Sequence, residues 1–367
     1  MAGVSLKQKD KNRSRPNRKE TMKKLFGNRL ICLLLCFALM IPLAGCGDAA
    51  EKQKQVFAMN TMFTLTAYGK KAAAGINAAE ASIIAIDAMS DPDIETSTCY
   101  MLNHAQGQQV NISGQIAEML IDAKEICERT GGAYDLTVYP LVQRWGFDHG
   151  RYYVPSPEEI SEDLSLLCMK EMTISKFPTS GTYAVIFPGY GRLSFASCAR
   201  GCAAKYAIDA MRKNGVESGL VSLAGNIQTL GRKPDGNNWS VGITDPSNPA
   251  GYLGILSVGE AAIVTTGSYQ NFMPANPKYH HILNTSSGYP TTNGLLSVTI
   301  ICEDGTYADC LSTAMFAIGQ SRAINYWRQH GGFEMILIND SGNVICTSGL
   351  LEEFDLKNDF YTLSYVE

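Results

Sequence analysis

The sequence predicts a fold that mixes helices and strands, α+β or mixed α/β, and three observations predict it. Phe63–Gly69, FTLTAYG, alternates apolar and polar residues with the period of a half-buried strand. Ser113–Gly132, SGQIAEMLIDAKEICERTGG, sets Ile116, Met119, Leu120 and Ala123 on one helical face. The helix-and-strand order of the middle of the chain returns near its end, which points to an internal duplication.

In chain order, the strand at Phe63 comes first. Ser113 is then placed to cap the amphipathic helix, and Gly131-Gly132 to stop it. Ala199–Gly215, ARGCAAKYAIDAMRKNG, is a second helix that Asn214-Gly215 ends, and Gly219–Gly231, GLVSLAGNIQTLG, follows as a strand. Leu295–Gly305, LLSVTIICEDG, is a further strand, and Thr306–Gln320, TYADCLSTAMFAIGQ, a third helix. Phe333–Ser348, FEMILIND-SGNVICTS, reads as a closing β-hairpin.

The front of the chain is of a different kind. From Met22 it reads MKKLFGNRLICLLLCFALMIPLAGCG, a positive stretch (Lys23, Lys24, Arg29) followed by an apolar run too short for a comfortable permanent span. The run ends in Leu43-Ala44-Gly45-Cys46, which has the build of a bacterial lipobox with Cys46 as the lipidated residue. The alternatives are an uncleaved anchor and a plain signal with an incidental cysteine. The expected organisation is an N-terminal extension and signal over residues 1–45, a lipid-anchored tether over 46–55, and a single domain over 56–367. Such a protein is held on the extracytoplasmic face of the cell membrane without spanning it.

Ten of the 31 Lys and Arg, and two of the 35 acids, lie in residues 1–29, so the remainder carries 21 basic against 33 acidic residues, a net charge of −12. An acidic domain does not attract phosphate backbones, which excludes nucleic acid as a partner. Eight of the 11 cysteines lie beyond Cys46 without a CxxC pair, and small buried thiols are their expected state.

Four segments could carry chemistry. Thr130–Phe147, TGGAYDLTVYPLVQRWGF, offers close backbone approach at its glycines and polar contacts at Asp135 and Thr137; a helix stop followed by core aromatics accounts for it equally. Leu193–Ala207, LSFASCARGCAAKYA, runs a small-residue turn into a helix with Arg200 in its first turns, an arrangement that suits phosphate. In GTYADCLSTAMF, Asp309 and Thr313 share a helical face and suit a hard cation such as Mg²⁺, whereas Thr306 and Asp309 at capping-box spacing make Asp309 a helix cap instead. KYHHILNTSSGYP, Lys278–Pro290, places His280 beside His281.

These segments, in this order and preceded by FAMNTMFTLTAYG (Phe57–Gly69), resemble the FAD:protein FMN transferases, the ApbE family. The resemblance covers nearly all of Phe57 to Thr347. It implies an α+β fold of two similar β/α halves with the active site between them. It also implies Mg²⁺-dependent transfer of FMN from FAD to a threonine hydroxyl of an exported or membrane redox protein, with release of AMP. The same resemblance places the metal on Asp309, the hydroxyls of Ser312 or Thr313 and the carbonyl of Ser197. It places FAD against Met59, Ala133, Tyr134, Asp135, Ser194, Arg200, His280 and Leu283. His281 is the candidate base for the threonine hydroxyl, near neutral pH, and His280 the orienting hydrogen bonder. Mg²⁺ prefers oxygen, so neither histidine is expected as its ligand. The sequence departs from the family pattern at Asn60, Ser194, Ala196, Arg200, Cys202, Ala224, Asn271, Asn284 and Thr285. Loss of transfer, leaving an FAD-binding lipoprotein, and FAD hydrolysis to FMN and AMP are the alternative functions.

Overall fold

The computed structural model describes residues 50–223 and 225–367. Cys46, and the signal and extension expected over residues 1–45, lie outside the described residues. The first strand, β1 (Glu51–Ala58), starts five residues before the expected domain boundary. The second half of the stretch read as a tether is therefore sheet, paired residue for residue with β2 (Thr61–Tyr68).

A nine-stranded sheet organises the domain. It holds β1 and β2, then β6 (Gly219–Leu223), β7 (Asn226–Leu230), β10 (Ala262–Gly267), β13 (Leu295–Cys302), β14 (Glu334–Asn339), β15 (Asn343–Thr347) and β17 (Thr362–Val366), in that spatial order. GLVSLAGNIQTLG is thus two strands and not the single one expected. Its apolar pattern runs through the turn without a break. The chain reverses at Gly225 (φ +83°), where an added Cβ would sit 2.9 Å from the Thr265 carbonyl oxygen.

The duplication is visible in this order. One half is β1-β2 and β6-β7 with helices α1 (Ala72–Ser90) and α6 (Ala199–Lys213); the other is β10-β13 and β14-β15 with α7 (Gly305–Ile318) and α8 (Gln320–His330). Between α1 and α6 come α2 (Thr98–Asn103), β3 (Gln109–Ile112), α3 (Gly114–Arg129), α4 (Tyr139–Trp145), α5 (Pro157–Leu164), β4 (Thr173–Lys176) and β5 (Tyr183–Ile186). Ser113 caps α3 by accepting from the Ile116 amide (3.4 Å), and Gly131 and Gly132 end it at positive φ, as expected. No capping side chain precedes α1, an alanine-rich helix apolar and long enough to cross a membrane; it lays Ile76, Ala79, Ile83 and Ile86 into the core against β1, β2 and α6.

One sheet face lies under these helices, with Leu65, Val221, Val264 and Ile300 in that core. The other packs Ile263, Ile301 and Ile336 against β8 (Trp239–Asp245) and β9 (Asn248–Val258) of a separate small sheet that β16 (Phe354–Leu356) completes, and β11 (Phe272–Met273) pairs with β12 (Asn276–His280). All eight cysteines beyond Cys46 are free thiols, seven of them buried.

Candidate functional site

The site forms where the two halves meet, at the contact of α6 with α7. Gly201 lets these helices touch, and Gly305 makes room for Gln228 of β7. A Cβ on Gly201 would lie 2.1 Å from the Gly305 carbonyl oxygen, and one on Gly305 would lie 1.7 Å from Gln228 Nε2. This approach brings the Gly201 amide within 2.8 Å of Asp309 Oδ2, to which it donates.

Asp309 is not the helix cap. Asp304 caps α7, accepting from the amides of Thr306 (2.8 Å) and Tyr307 (3.0 Å). The capping-box account of Asp309 is thereby corrected: the cap lies five residues earlier, and the Thr306 hydroxyl has no partner. Asp309 is buried one turn into the helix, and burial pushes its carboxyl up to about 6 against the opposing influence of Arg200 and the Gly201 amide. Beyond it, the Thr266 hydroxyl of β10 stands 2.8 Å from Ser312 Oγ and 3.3 Å from Thr313 Oγ1. Ser312 Oγ also donates to the Asp309 carbonyl (3.0 Å) and is fully buried, whereas Thr313 is half-buried. The donors are therefore a carboxylate and hydroxyls, a hard oxygen set that fits Mg²⁺.

The other segments are hydrogen-bonded to one another. The Tyr134 hydroxyl is 3.0 Å from Ser197 Oγ, which joins the Ala133–Asp135 run to the turn before α6, and the Ser194 amide donates to the Leu136 carbonyl (3.4 Å). Burial holds the Tyr134 phenol well above its usual range, so the hydroxyl stays protonated. Asp135 caps the short turn Leu136–Val138, accepting from the Thr137 amide (2.8 Å) and hydroxyl (2.5 Å). Burial raises its pKa, and its carboxylate is occupied in shaping the loop. The Thr285 hydroxyl donates to the Gly132 carbonyl (2.7 Å), and Trp145 Nε1 to the Gly288 carbonyl (2.9 Å), so the histidine loop is fastened to the same segment. Leu283 is buried beside Trp145 in a small apolar cluster.

The two histidines differ. His280 is buried, with Nε2 donating to the Thr291 carbonyl (2.9 Å), Nδ1 accepting from the Ile282 amide (3.3 Å) and its ring edge-on to Phe316. Both of its nitrogens are taken. His281 Nδ1 donates to the Asn271 carbonyl (3.0 Å), which fixes the tautomer and leaves Nε2 as the unprotonated nitrogen. Burial, helped by His280 and Arg200, pushes the His281 imidazole down to about 4. The ring is thus neutral through the physiological range, and its titration lies well below the near-neutral value expected. Arg200, half-buried in the first turns of α6, acts on both Asp309 and His281.

Met59 stands in the turn between β1 and β2, and both Met59 (φ 49°) and Asn60 (φ 56°) are left-handed. Its amide donates to Asp87 of α1 (2.9 Å); no hydrogen bond among the described residues ties it to the other segments. The turn lies at the same end of the sheet as Gly225 and Thr266. Sequence reasoning missed Thr266, Asn271 and Gly201, whose roles come from strand register, a main-chain carbonyl and helix approach. A separate carboxylate group, Glu118, Asp122 and Asp304, is bridged by Lys205, and Tyr206 donates to Glu118 (2.7 Å).

The model of the ApbE family matches residues 59–337. The chain belongs to the ApbE family. Among curated ApbE relatives, the FAD:protein FMN transferase of Klebsiella pneumoniae is 29% identical over 67% of this chain and 76% of its own length. That of Treponema pallidum is 25% identical over 88% and 94%. The ApbE protein of Thermotoga maritima superposes with a TM-score of 0.74 at 25% identity, covering 83% of this chain and 99% of that one. The expected α+β fold of this family is the fold observed.

Proposed function

We propose that this chain is an FAD:protein FMN transferase that moves FMN from FAD, with Mg²⁺, onto a threonine hydroxyl of an exported or membrane redox protein. The observation that carries the reading is that an all-oxygen centre on Asp309 and an imidazole with an unprotonated Nε2, that of His281, both feel the charge of Arg200. The family membership and the names of the relatives support it. Asp309, the hydroxyls of Ser312 and Thr313 and the Ser197 carbonyl would hold Mg²⁺. The cation would neutralise diphosphate charge during in-line transfer. Arg200 adds positive charge from the α6 side, and His280 keeps the loop in place. His281 Nε2 takes the proton from the threonine hydroxyl as its oxygen bonds to the FMN phosphorus. The bond from that phosphorus to the bridging oxygen breaks, and AMP leaves. The N-terminal lipobox supports anchoring by Cys46 on the extracytoplasmic face of the membrane, where such acceptors lie.

The experiment combines the protein, FAD, MgCl₂ and a threonine-bearing acceptor. It scores covalent flavin fluorescence on the acceptor, free FMN and AMP. Labelled acceptor with stoichiometric AMP is expected. FMN and AMP without label would reassign the chain as a pyrophosphatase, and FAD binding without AMP would make it a binding protein.

A further inference from the structure

Asn226 is only 2% exposed, yet neither its Nδ2 nor its Oδ1 has a hydrogen-bond partner. Among the described residues, no other side chain has two such buried unpaired atoms. A buried carboxamide without partners is costly and calls for an explanation.

Its position supplies one. Asn226 opens β7 directly after the Gly225 turn and faces Val264 across the β7–β10 pair, so it lies on the helix-covered face of the sheet. Two residues along β7, on the same face, Gln228 donates Nε2 to the Gly201 carbonyl (2.9 Å), and the Gly201 amide in turn holds Asp309. Two residues along β10, on the same face, Thr266 joins Ser312 and Thr313. Asn226 therefore lies on the floor of the site, between a neighbour that supports Asp309 and one that meets the hydroxyls. Its own two polar atoms are the pair left unengaged.

We infer that Asn226 is a binding residue for the phosphate-bearing part of the flavin nucleotide, its Nδ2 donating to a diphosphate oxygen. The inference rests on the flavin reading above. A carboxamide suits this place because it offers a donor to phosphate without adding a second negative charge beside Asp309. Its Oδ1 remains to accept from a hydroxyl or water that the nucleotide brings.

The test uses Asn226→Leu and Asn226→Asp. Thermal melts are recorded without cation or nucleotide, and the FAD dissociation constant is measured from flavin fluorescence in MgCl₂. Asn226→Leu is expected to melt no lower than wild type, because it removes two unpaired polar atoms from a core. FAD should bind about tenfold or more weakly to both variants, the loss of one hydrogen bond to a charged group. A lower melting temperature for Asn226→Leu with undiminished FAD affinity in Asn226→Asp would make the residue structural and overturn the inference. Undiminished affinity in both variants would overturn it as well. Wild-type protein that binds no FAD would overturn the flavin reading itself, an outcome distinct from either.

Discussion

Replacing Gly201 by alanine sets two effects of opposite sign against each other. In an ordinary helix interior this change gains about 1 kcal/mol of helix stability. Here the new Cβ would lie 2.1 Å from the Gly305 carbonyl oxygen and 2.5 Å from Asp309 Cβ, where ordinary contact begins near 3.4 Å. The obstacle is main chain and cannot swing aside, so α6 and α7 must part by more than an ångström. Overpacking of this kind costs about 1–3 kcal/mol. Parting the helices also stretches the 2.8 Å bond from the Gly201 amide to Asp309, a hydrogen bond to a carboxylate worth about 1.5–3 kcal/mol. The clash and the lost bond together exceed the helix gain, and the net is a loss of about 1.5–5 kcal/mol. At about 2 °C per kcal/mol for a domain of this size, the melting temperature should fall by roughly 3–10 °C. Scanning fluorimetry reads the shift, and FAD titration in MgCl₂ should weaken with it. A variant that melts at or above the wild-type temperature would refute the close helix contact as the foundation of the site.

Three further outcomes are expected. The Asp309 carboxyl has a folded pKa raised from 3.8 to about 6, so its favourable contribution is complete below about pH 3.8 and is lost as pH rises through 6. Asp309→Asn should therefore stabilise the cation-free protein at pH 8 by up to about 3 kcal/mol and abolish the rise in melting temperature with MgCl₂; an unchanged Mg²⁺ response would remove Asp309 from the metal site. His281→Asn should slow FMN transfer about 10²- to 10⁴-fold, with FAD affinity little changed. The wild-type rate should decline as pH falls through about 4, where His281 gains its proton, and the variant should lack that limb; normal turnover in the variant would end the base assignment. Cys46→Ser should take up no palmitate and leave the membrane fraction, and persistent labelling would refute the lipobox.

The elements with strong periodicity and clear stop signals were legible: α3 behind its Ser113 cap, α6 ahead of Asn214-Gly215, and the β14–β15 hairpin. The signals failed where they were local and weak. No side chain caps α1 at Lys71, so its small residues carry no start mark. The β6–β7 turn hid because its one decisive feature, a positive φ at Gly225, leaves hydrophobicity unchanged. Cap and ligand readings of Asp309 share one spacing, and only the position of Asp304 separates them. Thr266 looks like any strand threonine until register sets it against Ser312 and Thr313. The pKa of His281 depends on enclosure by segments distant in the chain, which no stretch of thirteen residues can report.

The early start of β1 sets a length scale for the proposed membrane-bound state. With lipid on Cys46 and the sheet beginning at Glu51, four residues intervene, a reach of at most about 14 Å. From Glu51 the strand carries the chain to the Met59 turn, a rise of about 26 Å. The end of the sheet that carries the Met59 turn is thus held within about 40 Å of the bilayer surface. An acceptor whose threonine lies farther out is beyond its range. Geometry alone would then sort partners by height above the membrane before any residue contact is made.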